Sequence, residues 1–305
     1  MRILVTGASG LLGLNLALEA AKDHQVFGTV KDHTLRTDAF AVHQTDLLVP
    51  DAVEKVLDKT QPDWVIHCAA LANVDACEAN PALARGLNTE LPKKLATYVG
   101  RGGARLVHVS TDAVFDGQRG DYTEEDRPNP LSVYAQSKLD GERAVAEANP
   151  SAIIARVNLF GWSLTGGRSL AEFFFYNLSA GKQVMGFTDV YFCPLLVNHL
   201  ARIFLKMLAS DLNGLYHVVS RDCFSKYDFG IKIARRFNLN ERLITLTTVE
   251  QAGLKAARSP KLTLRTDKLT RDLGEPPPDL STGIEDFYTL YQQGYPQQLQ
   301  LLGNR

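Results

Sequence analysis

Short apolar runs alternate with amphipathic stretches through the first half of the chain. The apolar runs end at glycine or polar residues, which is the pattern of buried strands. The stretches between them repeat apolar residues at helical spacing. Strands are predicted over 3–5, 25–30, 64–68, 105–109 and 152–157, and helices over 14–22, 51–59, 88–99 and around residue 134. This alternation predicts an α/β fold built on a doubly wound parallel sheet.

The regular alternation of strands and helices ends after residue 160. Helices are predicted over 169–178, 197–208, 226–237 and 282–292, separated by loops rich in glycine and proline. Residues 214–220 form an apolar run that predicts a strand and could rejoin the main sheet. We therefore expect one domain over residues 1–160 and a smaller mixed domain over residues 161–305, with a ligand cleft between them.

Composition and charge exclude several classes of function. The chain has 305 residues, of which 45% are hydrophobic and 22% are charged, and its net charge is -1. A charge so close to zero gives no electrostatic basis for binding nucleic acid or a membrane surface. The sequence contains no apolar run long enough to span a bilayer.

The start of the chain and its cysteines favour a cytoplasmic location. The sequence enters its first strand directly, without the regions of a secretory signal. Cys68, Cys77, Cys193 and Cys223 are scattered and lack the spacing of metal ligands. We therefore predict no metal site and interpret all four cysteines as reduced thiols.

A glycine turn joins the first predicted strand to the first helix. Gly7 would make the tight turn, Gly10 would let a pyrophosphate approach the backbone, and Gly13 would let helix and strand pack closely. Phosphate oxygens would then accept hydrogen bonds from free N–H groups at the start of the helix. The turn predicts a Rossmann-type NAD(P)-binding domain, with cofactor contacts from Gly7, Ser9, Gly10, Leu11, Leu12 and Gly13.

The end of the second strand favours NADP over NAD. An NAD-preferring site usually has an acid here for the ribose 2′-hydroxyl, whereas Lys31 and Arg36 are cations that could bind a 2′-phosphate. Asp32 is the opposing observation, so NAD stays possible. Asp46 and Leu47 end a third short strand and could reach the adenine.

Small and polar residues follow the next strand. Ala69 and Ala70 are small enough for the backbone to pass close to the cofactor, and Asn73 and Asp75 lie in the loop beyond them. Ligands of such sheets bind at the carboxyl ends of the strands. We therefore expect Ala69 and Ala70 to contact the cofactor, and Asn73 and Asp75 to contact a substrate.

Tyr134 and Lys138 lie four residues apart at the start of a predicted helix. This spacing puts the phenol and the ammonium on one face, about 5–6 Å apart at Cβ. A nearby cation could lower the pKa of a tyrosine from about 10 toward about 7, where a general acid is useful. Ser110 and Thr111 end a strand at the same edge of the sheet and offer a hydroxyl.

Three segments together resemble the extended short-chain dehydrogenase/reductase superfamily, and within it the dTDP-4-dehydrorhamnose reductase family. They are residues 6–13 (TGASGLLG), 110–117 (STDAVFDG) and 130–142 (PLSVYAQSKLDGE). The last two, in this order and separated by a short acidic loop, are the specific markers. The resemblance covers nearly the whole chain.

The resemblance implies a role for each residue of the predicted site. Tyr134 would protonate a carbonyl oxygen as hydride arrives from the nicotinamide, and Lys138 would hold the nicotinamide ribose and lower the tyrosine pKa. Thr111 would hydrogen-bond the substrate oxygen, with Ser110 as the alternative donor. The implied reaction is NADPH-dependent reduction of the 4-keto group of a deoxysugar nucleotide, by a protein for which a homodimer is possible.

The segments that should bind the sugar depart from the family pattern. The family has a tryptophan just after the strand that ends at Val157, but here the matching region is 158–160, and Trp162 comes two residues later. In the segment 189–195, Asp189 and Pro194 match the family, and a late arginine motif is reduced to Arg258. We expect Asp189 and Arg258 to contact the substrate in a pocket of altered shape.

Two other functions are compatible with the same residues. One is a sugar-nucleotide epimerase or dehydratase of the same superfamily, which uses the same tyrosine and lysine but retains its cofactor. The other is a non-catalytic NADP-binding regulatory subunit that resembles the one of methionine adenosyltransferase. That subunit shows very similar motifs, so intact Thr111, Tyr134 and Lys138 do not by themselves establish catalysis.

Overall fold

The computed structural model describes residues 1–251 and 259–303. The strands are β1 (Arg2–Thr6), β2 (Gln25–Val30), β3 (Ala41–Gln44), β4 (Trp64–His67), β5 (Arg105–Thr111), β6 (Ile153–Val157), β7 (Leu159–Phe160), β8 (Val184–Phe187), β9 (Tyr191–Phe192), β10 (Leu195–Leu196), β11 (Gly214–Val218), β12 (Phe224–Ser225), β13 (Ile244–Thr247) and β14 (Lys261–Leu262). The helices are α1 (Leu11–Ala20), α2 (Ala52–Thr60), α3 (Val74–Ala79), α4 (Pro81–Arg85), α5 (Leu91–Gly102), α6 (Val133–Ala148), α7 (Leu170–Ser179), α8 (Val197–Ala209), α9 (Lys226–Arg236), α10 (Asp267–Leu273), α11 (Leu280–Gln292) and α12 (Tyr295–Leu302).

The main sheet has seven strands in the order β11-β6-β5-β4-β1-β2-β3. Every neighbouring pair in it is parallel. The strand order reverses direction at β1 and β4, and a crevice forms outside the carboxyl ends of such strands. The predicted α/β fold with a doubly wound parallel sheet is therefore confirmed.

Both faces of the sheet are buried, because side chains alternate along each strand. In β1, Leu4 faces one side and packs in a cluster with residues of α2, α5 and α6. Ile3 and Val5 face the other side, where α1 and α8 cover the sheet. This arrangement explains why β1 is apolar on both faces, at Ile3, Leu4 and Val5.

The helix predicted over 88–99 begins as a turn of π-helix, Gly86–Glu90, which continues into α5. Pro92 has no N–H and cannot complete the α-helical bond to the carbonyl of Asn88. That carbonyl instead approaches α6 so closely that a Cβ on Gly141 would overlap its oxygen. The segment after β4, predicted as a loop, contains the short helix α3.

The second half of the chain contributes to the main sheet and adds small sheets of its own. The strand predicted over 214–220 is β11, which pairs with β6 and so lies in the main sheet. The small sheets are β10-β7, β12-β9-β14 and β13-β8. One continuous hydrophobic cluster includes α1 as well as α8 and α9. The division into a cofactor-binding unit 1–160 and a substrate-binding unit 161–305 stays a prediction.

The interpretation of all four cysteines as reduced thiols is wrong for one pair. Cys193 and Cys223 form a disulfide, whereas Cys68 and Cys77 are free. The two bonded residues flank the antiparallel pair β9 and β12, in which Phe192 lies opposite Phe224. Strand pairing therefore brings together two residues that are 30 positions apart in the sequence. Spacing along the sequence alone could not show this proximity.

Candidate active site

The glycine turn has the close backbone contacts that the sequence predicts. Gly7 has a φ of +68°, and a Cβ there would lie 2.9 Å from the backbone of Ala69. A Cβ on Gly13 would overlap the carbonyl oxygen of Gly7. Gly10 is the N-cap of α1 and has no side chain that could cap the helix. The first N–H groups of α1 therefore have no helical partner, and this cradle fits a dinucleotide pyrophosphate.

The other predicted residues of this turn differ in exposure. Ser9 and Leu11 are partly exposed, whereas the side chain of Leu12 is buried in the core. Leu12 can therefore contribute its backbone N–H to a ligand but not its side chain. Ala69 donates its N–H to the Thr6 hydroxyl over 3.2 Å, which holds the end of β4 against the glycine turn. Ala70 follows it and is exposed.

The cations predicted to bind a 2′-phosphate lie beyond the end of β2. Lys31 forms an ion pair of 3.0 Å with Asp46. The Asp46 carboxylate also accepts the N–H of Leu48, and these contacts lower its pKa. Arg36 is exposed, and the described residues place no carboxylate within ion-pair distance of it. Leu47 is buried in the core, so only its backbone is available to a ligand.

Tyr134 lies in the first turn of α6, and two side chains fix the start of that helix. Ser132 caps it by accepting the N–H of Ala135 over 3.2 Å. Glu78 of α3 accepts the N–H of Val133 over 2.8 Å. Acceptors at this position satisfy N–H groups that have no helical partner. They hold Tyr134 at the carboxyl edge of the sheet, close enough to Thr111 for that hydroxyl to lower the pKa of the phenol.

The expected lowering of the Tyr134 pKa by Lys138 is wrong for this structure. Burial raises the pKa of Tyr134 to about 12, and the hydrogen bond from Thr111 opposes this shift only in part. The Lys138 ammonium instead donates to the carbonyl oxygen of Val109 over 2.6 Å. Its own pKa is lowered to about 8, because burial outweighs the attraction of Glu142 and Cys68. Helical spacing brings the two Cβ atoms together but does not fix where the long lysine side chain ends.

Ser110 and Thr111 point to opposite faces of β5, as successive strand residues must. The Ser110 hydroxyl donates to Glu142 over 2.5 Å, in a buried cluster where Glu142 also forms an ion pair with Arg156. The Ser110 hydroxyl is therefore bonded to Glu142 and not to Tyr134. This corrects the prediction that Ser110 contacts the substrate. Thr111 faces Tyr134 instead.

Asp112 and Asn158 belong to this site, although the sequence interpretation gave them no role. Asp112 is only 4% exposed, and its carboxylate accepts hydrogen bonds from Thr111 over 3.1 Å and from Asn158 over 2.6 Å. Burial raises the Asp112 pKa to about 6. The sequence does contain a signal for both residues, because each directly follows a strand of the main sheet. Ligands of such sheets bind at the carboxyl ends of the strands.

The structure describes Asn73, Asp75 and Asp189, three further residues predicted to bind the substrate. Asn73 caps α3 by accepting the N–H of Ala76, and Asp75 is exposed on that helix. The Asp189 carboxylate accepts the N–H of Val249. Arg258 lies outside the described residues. Trp162 is fully buried against Phe287, so it cannot replace the family tryptophan at a pocket.

The structure describes the ranges 1–251 and 259–303. Within them, no group of His, Cys, Asp and Glu side chains is arranged to hold a metal ion. The helices of the same ranges are all too short or too polar to cross a membrane.

Comparison with known proteins agrees with the fold and the dinucleotide cradle described above. The family model of the RmlD substrate binding domain matches residues 1–293. A probable low-salt glycan biosynthesis reductase, Agl14 of Haloferax volcanii, is 33% identical over 291 residues, which cover 93% of this chain and 96% of that protein. The beta subunit of methionine adenosyltransferase 2 of Danio rerio is 33% identical over 279 residues, covering 88% of this chain and 84% of that protein.

A solved structure shares the architecture. The dTDP-4-dehydrorhamnose reductase of Bacillus anthracis, determined in complex with NADP, superposes with a TM-score of 0.80 at 26% sequence identity. The superposition covers 94% of this chain and 98% of the other. With nearly its whole length matched by the family model, the chain belongs to the RmlD substrate-binding-domain family of extended short-chain dehydrogenase/reductases.

Proposed function

We propose that this protein reduces the 4-keto group of a deoxysugar nucleotide to a 4-hydroxyl, with NADPH as the hydride donor. The observation that carries the proposal is the position of Tyr134 beside the Thr111 hydroxyl, at the carboxyl edge of the sheet that carries the glycine cradle. A proton donor beside a dinucleotide site is what carbonyl reduction requires. Relatives named as reductases support the same reaction.

The side chains divide the chemistry between them. The nicotinamide, when bound, supplies the hydride that adds to the carbonyl carbon. Tyr134 gives its proton to the carbonyl oxygen, so the products are an alcohol and an oxidised cofactor. A phenol whose pKa is about 12 is protonated at neutral pH, which is the form needed for reduction. Lys138, buried beneath the site, is the donor that would hold the nicotinamide ribose.

The glycine cradle and the cations beyond β2 would hold the other end of the cofactor. The first N–H groups of α1 suit the pyrophosphate, and Arg36 is exposed and free of carboxylates in the described structure. Lys31 would have to share its charge with Asp46. NADPH is therefore preferred and NADH is the alternative. A titration in which NADH binds more tightly than NADPH contradicts this preference.

A regulatory role is the second candidate, because a relative at 33% identity is the beta subunit of methionine adenosyltransferase 2. In that case the cofactor site would stabilise a binding surface and no sugar nucleotide would be consumed. The epimerase or dehydratase alternative predicts a cofactor that co-purifies in stoichiometric amount. A cytoplasmic location and a homodimer both stay predictions.

Turnover of keto-sugars by wild type and by Tyr134→Phe tests the reductase proposal. NADPH oxidation is followed with a panel of dTDP-, GDP- and UDP-4-keto-6-deoxysugars. Removing the proton donor should lower kcat by about 10²–10⁴-fold on the substrate that wild type consumes. Tyr98→Phe is the matched control, because that phenol hydrogen-bonds Glu54 away from the site.

Each outcome has a distinct meaning. Wild-type turnover by Tyr134→Phe would show that the proton-donor assignment is wrong. If wild type consumes no member of the panel but binds a methionine adenosyltransferase catalytic subunit and changes its activity, the regulatory alternative replaces the reductase proposal.

A further inference from the structure

The segment 189–195, which should bind the sugar, ends beside the candidate active site. The N–H of Leu195 donates to the carbonyl oxygen of Asn158 over 2.9 Å. The side chain of Asn158 in turn donates to the Asp112 carboxylate over 2.6 Å. Asp112 directly follows Thr111 at the end of β5. Asn158 therefore links the end of this segment to the carboxylate next to Thr111.

Short strands hold the segment in place. β9 contains two residues, which pair with Phe224–Ser225 of β12 and with Lys261–Leu262 of β14. β10 also contains two residues, whereas strands of globular proteins usually have at least three. Pro194, between β9 and β10, has no N–H to donate. Backbone pairing therefore gives the middle of the segment few hydrogen bonds.

The disulfide joins this segment to the loop 219–223. Cys193 is fully buried in a hydrophobic cluster that includes Phe115, and Cys223 is partly buried against the same cluster. The carbonyl oxygen of Cys193 accepts the N–H of Ser220, from the same loop, over 3.2 Å. The two cysteines thus connect the segment that should bind the sugar to the loop that follows β11.

The loop 219–223 is anchored to the rest of the molecule. It begins where β11 leaves the main sheet. The Asp222 carboxylate accepts the N–H of Leu280, at the start of α11, over 2.7 Å. Arg221 forms an ion pair with Asp279, the N-cap of the same helix. The disulfide therefore fastens the segment to a loop that is held by both β11 and α11.

Breaking the disulfide should move the segment. Two thiol sulfurs need more room than two bonded sulfurs, and the interior around Cys193 is close-packed, as protein interiors are. The loop that carries Cys223 is held by β11 and α11, whereas two-residue strands hold the segment that carries Cys193. We therefore expect Cys193 and its neighbours in the segment to be displaced while the loop stays in place.

We propose that the Cys193–Cys223 disulfide positions the segment 189–195 for the sugar, and that its reduction weakens the binding of the sugar nucleotide. The inference rests on the proposed reductase function. A dithiol supplies two electrons: its thiolate attacks the sulfur of Cys223, the more exposed cysteine, and the Cys193 sulfur leaves and takes a proton. The second thiol then closes the reductant into a cyclic disulfide, and Cys223 takes the proton of that thiol.

Turnover by the oxidised and the reduced wild-type protein tests this role. Dithiothreitol is the reductant, and alkylation of the denatured protein followed by mass spectrometry counts the free thiols, which should be two before reduction and four after it. If the reduced segment holds its binding position a tenth of the time, the KM for the keto-sugar nucleotide rises about tenfold. The KM for NADPH should change less than about twofold, because the glycine cradle lies on β1 and α1.

Cys223→Ser is the matched variant, because it removes the bond at its more exposed end and leaves Cys193 in place. Its KM for the sugar nucleotide should be raised without reductant. Dithiothreitol should then change nothing, because Cys68 and Cys77 are already thiols. If dithiothreitol does not reach the bond in wild type and the thiol count stays at two, Cys223→Ser decides.

Three results would overturn the proposal. One is an unchanged KM for the sugar nucleotide in both the reduced protein and Cys223→Ser. Another is an equal rise in the KM for NADPH, which would indicate a general loss of structure. The third is an oxidised protein that already has four free thiols.

Hydrogen exchange separates this inference from the proposed function, because it needs no turnover. The N–H groups of Tyr191 and Leu195 donate to the carbonyl oxygens of Pro260 and Asn158. Both should exchange about tenfold faster after reduction, while peptides from α1 exchange as before. If wild type consumes no keto-sugar and this exchange still rises, the proposed function fails while the hold of the disulfide on the segment stands. If the exchange is unchanged in folded Cys223→Ser, the inference is refuted.

Discussion

Arg156 and Glu142 form an ion pair of 2.7 Å that is almost completely buried. Glu142 belongs to α6 and Arg156 to β6, so the pair fixes the helix that carries Tyr134 against the sheet. The Ser110 hydroxyl donates to the same carboxylate, and the guanidinium lies 4.9 Å from the centre of the Phe115 ring. Glu142 thus gains a second hydrogen bond and Arg156 an aromatic face, while Nη1 of Arg156 is buried without a hydrogen-bond partner in the described structure.

Breaking this pair should be costly, because the remaining charge would be buried without a partner. We expect Arg156→Met to lower the free energy of unfolding by about 3–5 kcal/mol. Urea unfolding followed by circular dichroism measures the change. Arg143→Met is the control, since Arg143 and Asp140 are exposed and 3.7 Å apart; its effect should stay within about 0.5 kcal/mol. A loss below about 1 kcal/mol for Arg156→Met contradicts the argument.

At the residue scale, the sequence predicts well which side chains lie close together. It predicts less well where each side chain points. The pairing of Tyr134 with Thr111 follows from a helix start and a strand end that share one edge of the sheet. The direction of Lys138 toward Val109 depends on rotamers and burial, which the spacing of residues does not contain. Asp112 and Asn158 are 46 positions apart and meet only because β5 and β6 are neighbours.

At the element scale, α12 stands out because it lies beyond the part of the chain matched by the family model. It packs against the cofactor half of the molecule. The Tyr295 hydroxyl donates to Asn15 of α1 over 2.8 Å, and the N–H of Arg36 donates to the carbonyl of Leu302 over 2.8 Å. A bridge between Leu35 and Gly303 adds to this contact. The helix therefore holds the loop that carries Arg36.

Deleting residues 295–305 should weaken the binding of NADPH. If the loop is ordered only a tenth of the time without α12, the apparent Kd rises about tenfold. NADH, which has no 2′-phosphate for Arg36, should lose less affinity. Fluorescence titration with both cofactors measures the two changes. Tyr295→Phe removes only the bond to Asn15 and should retain most of the affinity for NADPH.

Equal losses of affinity for NADPH and NADH in the truncated protein would show that α12 stabilises the domain as a whole. An unchanged Kd for NADPH would show that the Arg36 loop does not need the helix. Circular dichroism at the titration temperature confirms that the truncated chain is folded.

The elements that the sequence predicts best are those with a strong periodic pattern. The strand β2 was predicted with the bounds it has, and α11 was predicted within two residues. No pattern predicts α12, which has only eight residues, or the π-helical turn at Gly86–Glu90, whose Asn88 carbonyl lies against Gly141. The cysteine pair likewise depends on strand pairing rather than on sequence spacing.

At the scale of the whole molecule, the order of the seven strands assembles the site. The ends of β1, β4, β5 and β6 meet at one edge, which brings the glycine cradle, Thr111 and Asn158 to the same side of the sheet. β11 from the second half of the chain completes this sheet beside β6. The segment 189–195, which should bind the sugar, matches the family pattern only at Asp189 and Pro194. The sequence therefore specifies the reaction better than it specifies the substrate.

Transfer of deuterium from NADPH to a sugar tests the proposed reaction most directly. The protein is incubated with NADPH deuterated at C4 of the nicotinamide and with a dTDP-4-keto-6-deoxysugar, and the sugar product is analysed by NMR and mass spectrometry. Reduction predicts one deuterium at C4 of the sugar, beside a new hydroxyl, with an equal amount of oxidised cofactor. A sugar that is unchanged, or converted without deuterium while the cofactor stays reduced, would contradict hydride transfer to the 4-keto group.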